Sequence, residues 1–163
     1  MSELQKNIIA LVKQDGRLSA EMIAKTLGAS TADVQKEIDA LVQKGQMVGY
    51  SVVIDDQNTV GSEVEAWIEV KVTPQRTQGY DSLAAQIAAY PQVKDLYLMS
   101  GSYDLAVTVR GNNLHEVSNF VHEKLAVMDN VISTTTHFIL KCYKVVGVNL
   151  VGGKTEKRLP FSD

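Results

Sequence analysis

The chain has 163 residues, 45% of them hydrophobic and 21% charged, with 16 Lys+Arg against 19 Asp+Glu and a formal net charge of −3. These values lie near the globular average and exclude a collagen-like, disordered or disulfide-scaffold chain, while the length suits one ordinary domain or two small ones. The acidic balance runs against a protein that coats nucleic acid.

Leu4, Ile8, Leu11 and Val12, then Met22, Ile23 and Leu27, then Val34, Ile38, Leu41 and Val42 recur at helical spacing and predict three short helices. Asp15-Gly16 ends the first, Ser19 is placed to cap the second, and Gly28 closes it. Ser30 with Asp33 three residues on has the form of a capping box at the start of the third. The short break around Ala29 matches the roughly 3–4 residues of a helix-turn-helix. Met47 to Ile54, with Tyr50, Val52 and Val53, reads as a β wing or connecting strand.

The polar run Asp55-Asp56-Gln57-Asn58, followed by Gly61, is the expected boundary. Beyond it the period becomes two: Val64, Ala66, Ile68, Val70 and Val72 alternate with Glu63, Glu65, Trp67, Glu69 and Lys71, and Pro74 stops the strand. A helix over about 80–90, strands over about 93–99 and 103–109, a helix over about 114–127 and a strand over about 131–143 complete the order βαββαβ. Two such halves build a four-stranded antiparallel sheet with both helices on one face, the ferredoxin-like arrangement. The helix side takes Leu105, Val107 and Val109. The other side shows Trp67, Tyr97, Met99, Ala106 and Thr108, a patch expected to be buried against a second subunit, with Trp67, Tyr97 and Met99 as its interface residues.

These motifs occur in a recognisable order. Asp15-Gly16-Arg17-Leu18-Ser19, Leu27-Gly28-Ala29-Ser30 and Leu41-Val42-Gln43-Lys44-Gly45 leading to Gly49-Tyr50 precede Leu98-Met99-Ser100-Gly101-Ser102-Tyr103-Asp104 and Thr134-Thr135-Thr136. Over about residues 1–145 the chain resembles the Lrp/AsnC (feast/famine) transcription regulators. The expected organisation is α+β: a winged helix-turn-helix head over 1–54, a linker over 55–62, a ferredoxin-like βαββαβ effector-binding and oligomerisation domain over 63–145, and a tail over 146–163.

The resemblance implies a sequence-specific DNA-binding regulator that responds to a small effector, commonly an amino acid. It also implies a homodimer that can assemble into an octamer. In the head, the expected contacts to double-stranded DNA are Arg17, Ser30, Thr31, Ala32, Gln35 and Lys36, since hydroxyls and helix amides hold phosphates and Gln reads base edges. The family's basic positions fall here on Lys36, Glu37, Asp39 and Ala40, of which only Lys36 is basic. The alternative is therefore an effector-sensing partner protein that has lost DNA binding. In the tail domain the expected effector residues are Ser100, Gly101, Tyr103, Asp104, Thr134 and Thr136. Glycine there offers amides to a carboxylate, and Asp104 can pair an α-ammonium; a plain hairpin turn with a capping Asp is the other reading of the same spacing.

No catalytic or cofactor motif accompanies these elements: there is no P-loop, no Ser/His/Asp elbow, and His115, His122 and His137 lack metal-site spacing. Haem-biosynthesis decarboxylases share the architecture, but no His/Arg cluster suits a tetrapyrrole, so an enzyme is not expected, nor a metal or cofactor. Cys142 reads as an apolar filler and Gly152-Gly153 with Lys154, Lys157 and Arg158 as a frayed end. No apolar run approaches the ~20 residues of a bilayer span and the opening MSELQKNIIA lacks a basic segment before an apolar block, so a cytoplasmic location is expected.

Overall fold

The structure is a computed structural model that describes residues 1–55, 63–73 and 79–151. The linker residues from Asp56 onward, Pro74 and the stretch from Gly152 onward fall outside these ranges. The chain divides into two compact units, Met1–Val53 and Ile54–Asp163. Among the described residues no helix is long and apolar enough to cross a membrane.

The first unit holds α1 (Glu3–Gln14), α2 (Ala20–Leu27) and α3 (Thr31–Gln43) around buried Ile8, Ile23, Ala24, Val34 and Leu41. Each helix start is chemically marked. Ser2 and Gln5 form a reciprocal capping box on α1, in addition to the caps expected for the other two helices. Ser19 Oγ accepts the Met22 N–H at 3.2 Å, so Ser19→Ala is expected to lower head stability by about 1 kcal/mol in a urea titration; a loss within error would mean that this cap contributes nothing. Gly28 ends α2 at φ 65°, a left-handed conformation glycine adopts without a Cβ penalty. Ser30 Oγ accepts the Asp33 N–H at 3.1 Å, but the Asp33 carboxylate takes the Ser30 hydroxyl at 2.6 Å rather than the backbone amide a full capping box would use.

Three expectations for this unit are corrected. Met22 and Val42 are exposed, because α2 and α3 turn only a narrow stripe to the core. Residues 48–55 form no strand, so the expected wing is absent from the described head. A strand needs a second strand to take its amides and carbonyls, and none of the head's described elements is one. Val48 and Val52 are left 91% and 74% exposed, while the Tyr50 ring lies over Gly16, where a Cβ would stand 3.3 Å from it.

The second unit is a sheet of order β2-β3-β1-β4, antiparallel throughout: β1 (Val64–Val72), β2 (Val93–Leu98), β3 (Leu105–Gly111) and β4 (Val131–Phe138). Helices α4 (Asp81–Ala88) and α5 (Leu114–Phe120) cover the face carrying Ile68, Val70, Leu105, Val107 and Val109, and Leu83, Ile87, Val117 and Phe120 join that core. Gly111 lies close under α5, where a Cβ would stand 3.0 Å from Val117 Cγ2 and press on that buried side chain. Past Phe120 the chain widens into one π-helical turn, Val121–Leu125, with the Ala126 N–H bonded to Val121 O at 2.8 Å. The expected regular helix to Val127 is thus interrupted, and this wider turn lets both Phe120 and Leu125 be buried.

The last strand ends at Phe138, short of the expected Tyr143, and residues 144–149 form a separate hairpin, β5 (Lys144–Val145) with β6 (Val148–Asn149). Its turn places Val146 at φ 46° and Gly147 at φ 80°, the double positive φ of a tight hairpin. Cys142 is half-buried beside this hairpin, with its thiol 3.8 Å from the Lys144 carbonyl, rather than within a core.

Candidate functional site

Three surfaces carry the residues that the sequence pattern points to. The first is the outer face of α3. Ala32, Gln35, Lys36, Asp39, Ala40 and Gln43 line one shallow depression along it, at the spacing of a single helix face. Lys36 has no ion-pair partner among the described residues, and the Gln35 side-chain amide donates to Asp39 Oδ1 at 2.8 Å. Glu37 does not belong to this face. Its Oε2 accepts the Gln5 side-chain amide at 2.6 Å, and Gln5 is itself buried. The signal for this lies in the spacing, since Glu37 stands three residues after buried Val34 and four before buried Leu41. Ser30 is committed to the helix cap, and Thr31 and Ala32 are exposed beside it.

Arg17 lies at the turn after α1, where its Nε and Nη2 donate to the two Asp15 carboxylate oxygens at 3.0 and 2.9 Å while the side chain stays exposed. The Arg17 side chain, helped by the Arg17 N–H, holds the Asp15 carboxyl down at about 2, and Asp15 in turn keeps the guanidinium firmly charged. A carboxyl lowered in the folded state contributes stability above the ordinary aspartate range and loses it as pH falls toward its folded value, here between about 4 and 2. In an NMR titration, Arg17→Ala is expected to return the Asp15 midpoint toward that of a free aspartate; an unmoved midpoint would exclude Arg17 as the cause.

The second surface is the turn between β2 and β3. The Met99 N–H bonds to Asp104 O at 2.8 Å and the Asp104 N–H to Val70 O at 3.1 Å, closing a loop over Ser100–Tyr103. Gly101 has no left-handed φ, and a Cβ there would meet nothing within 4 Å, so neither its backbone nor neighbouring atoms demand glycine. Asp104 carries one hydrogen bond on each carboxylate oxygen. Its Oδ2 accepts the Val72 N–H at 2.9 Å and its Oδ1 accepts the Tyr80 hydroxyl at 3.1 Å, which raises the Tyr80 pKa above the ordinary phenol value. Tyr80 and Val72 carry no sequence signal for this role, because they lie 24 and 32 residues from Asp104. Thr134 and Thr136 pair with Val70 and Ile68 on β4, half-buried on the helix side of the sheet. Thr134 is level with the base of the turn but separated from it by β1, roughly two strand spacings or ~10 Å away, so the six expected effector residues do not converge on one point of the single chain.

The third surface is the sheet face opposite the helices. Trp67 and Tyr97 stack with ring centroids 6.4 Å apart and planes at 24°. Their strand partners Thr108 and Ala106 are 4% and 0% exposed, rather than part of an open patch as expected. Met99 is half-buried and Tyr97 is 49% exposed. The glutamates sharing this face are paired: Glu65 with Lys94 at 3.1 Å and Arg110 at 3.5 Å, Glu63 with Arg110 at 3.5 Å, and Glu69 with His137 at 3.4 Å.

A three-helix unit with helix-turn-helix spacing, followed by a βαββαβ sheet bearing a Gly-x-x-Asp turn, defines a two-unit α+β chain with one candidate surface for a polyanion and one for a small polar ligand. Residues 65–147 match the Lrp/AsnC ligand binding domain. The chain is 41% identical over 163 residues to the uncharacterized HTH-type transcriptional regulator YugG of Bacillus subtilis (strain 168), covering 99% of this chain and 98% of the relative. It therefore belongs to the Lrp/AsnC family. Its fold is shared with the crystal structure of MtbAldR, at a TM-score of 0.75 and 24% identity over 88% of this chain and 97% of that one. It is shared also with the transcriptional regulator NMB0573 of Neisseria meningitidis in complex with L-Met, at a TM-score of 0.71 and 19% identity over 89% and 93%.

Proposed function

We propose that this Lrp/AsnC-family chain is a transcriptional regulator that docks α3 in the DNA major groove and takes an amino acid at the Gly101–Asp104 turn, acting as a homodimer joined through the Trp67–Tyr97 face. The observation that carries the DNA reading is the capped α3 with Ala32, Gln35, Lys36, Ala40 and Gln43 on one exposed face and Glu37 turned inward to Gln5. Cation, amide and small residues suit phosphate contact and base-edge reading, and two heads on one dimer raise the effective concentration of the second. Mobility shifts on the chain's own upstream region at two salt concentrations test it; no shift at low salt overturns it. Asp39, which stays on the same face, favours the second reading, an effector-sensing partner protein without DNA binding.

The effector reading is supported by a glycine at position 101 that the chain's own packing does not require, by a carboxylate held at the turn, and by the L-Met bound to a relative of the same fold. Calorimetry with a panel of amino acids, repeated on Asp104→Ala, tests it, and equal binding by the variant removes Asp104 from the site. The dimer reading is supported by the Trp67–Tyr97 stack and by Glu65 on the same face being already paired with Lys94 and Arg110. By light scattering, Tyr97→Glu is expected to shift the chain toward monomer, and an unchanged mass would take this face out of the interface.

A further inference from the structure

Asp104 is held from two sides by groups of different freedom. The Val72 N–H belongs to the strand end of β1 and fixes the carboxylate plane through Oδ2. The Tyr80 hydroxyl reaches Oδ1 from the residue that begins α4, where it makes no side-chain bond to the helix it precedes. A phenol is a neutral donor. It satisfies a half-buried carboxylate oxygen without cancelling its charge, and so leaves the site attractive to a cation.

We propose that Tyr80 is a positioning residue of the amino-acid site: its hydroxyl occupies on Asp104 the place that the ligand's α-ammonium takes, and binding displaces it. This rests on the reading of the Gly101–Asp104 turn as that site. A charged ammonium is the stronger partner for a carboxylate and wins the exchange, while the Val72 amide keeps the other oxygen in register. The phenol oxygen is rigid on its ring, so displacement swings the Tyr80 ring itself, which packs only half-buried against the sheet core. Displacement frees the first turn of α4 from the β1–β3 end of the sheet, which ties occupancy of the turn to a helix.

The test is calorimetry with the twenty common L-amino acids and, for the tightest binder, its 2-hydroxy analogue, on the unaltered chain, Tyr80→Phe and Asp104→Asn. Tyr80→Phe keeps the ring in the core and removes only the competing hydroxyl. It is expected to bind the amino acid on the order of ten- to hundredfold more tightly, the size of one lost competing hydrogen bond to a charged group. Its affinity for the hydroxy analogue, which has no ammonium, stays as in the unaltered chain. Asp104→Asn is expected to lose at least about tenfold for the amino acid. A purely structural role for Tyr80 would weaken binding instead. Unchanged or weaker amino-acid binding by Tyr80→Phe, with the loss in Asp104→Asn intact, overturns this inference and leaves the site standing. Full binding by Asp104→Asn, or no amino acid bound by the unaltered chain, overturns the site reading and this inference with it.

Discussion

Replacing Ile68 by alanine is expected to destabilise the second unit by about 2–5 kcal/mol. Ile68 is fully buried on β1, the strand flanked by both β3 and β4, where its partners are Val107 and Thr136. Truncation removes the methyl groups that fill the space between sheet and helices, and neighbours held on both flanks of β1 have little freedom to close the cavity. Against a typical total of about 5–15 kcal/mol, such a loss leaves the unit close to unfolding. The protein's single tryptophan is the adjacent Trp67, so urea unfolding followed by its fluorescence reports this unit directly. A midpoint within error of the unaltered chain would mean that the sheet core is not assembled as described.

Under the proposed docking of α3, Lys36→Glu is expected to weaken operator binding by about ten- to hundredfold for each head engaged, because it would exchange a cation facing phosphate for an anion beside Asp39. The slope of log affinity against log salt should fall by about 0.9 for each phosphate no longer neutralised, a signature that distinguishes phosphate binding from general damage to the head. The side chain is exposed and makes no ion pair among the described residues, so circular dichroism melts of the variant should overlay those of the unaltered chain. Asp39→Asn is the complementary variant and should tighten binding. Unchanged affinity and slope in Lys36→Glu would remove α3 from the interface and favour the partner-protein reading.

The elements that periodicity dictates are legible in the sequence. The Ile8–Ile23–Val34–Leu41 core of the head and the alternation of β1 follow from burying one stripe of a helix or one face of a strand. What escapes depends on partners distant in sequence or on departures from a regular period. Tyr50, Val52 and Val53 predict a wing because these residues favour a strand, yet composition cannot supply the second strand that pairing needs. The chemistry of Glu37 alone sets it with the outward charges, although its place between Val34 and Leu41 aligns it with Gln5. At the turn, Asp104 is legible and its environment is not. Tyr80 becomes its neighbour only once the sheet and α4 have formed.

The π-helical turn after Phe120 has a consequence for how this chain tolerates changes in length. In a regular α-helix residues five apart diverge by about 140°, so Phe120 and Leu125 would not share an inward direction without the wider turn. The turn thus acts as a phase adjuster between two stretches of helix, holding one residue more than the regular path requires. Deleting a single exposed residue there, such as Glu123, would not simply shorten a surface. It would restore a uniform helix in which Leu125 follows Phe120 by four residues, about 40° apart, and so keeps its inward direction, whereas the same deletion from a regular helix would turn every later residue by about 100°.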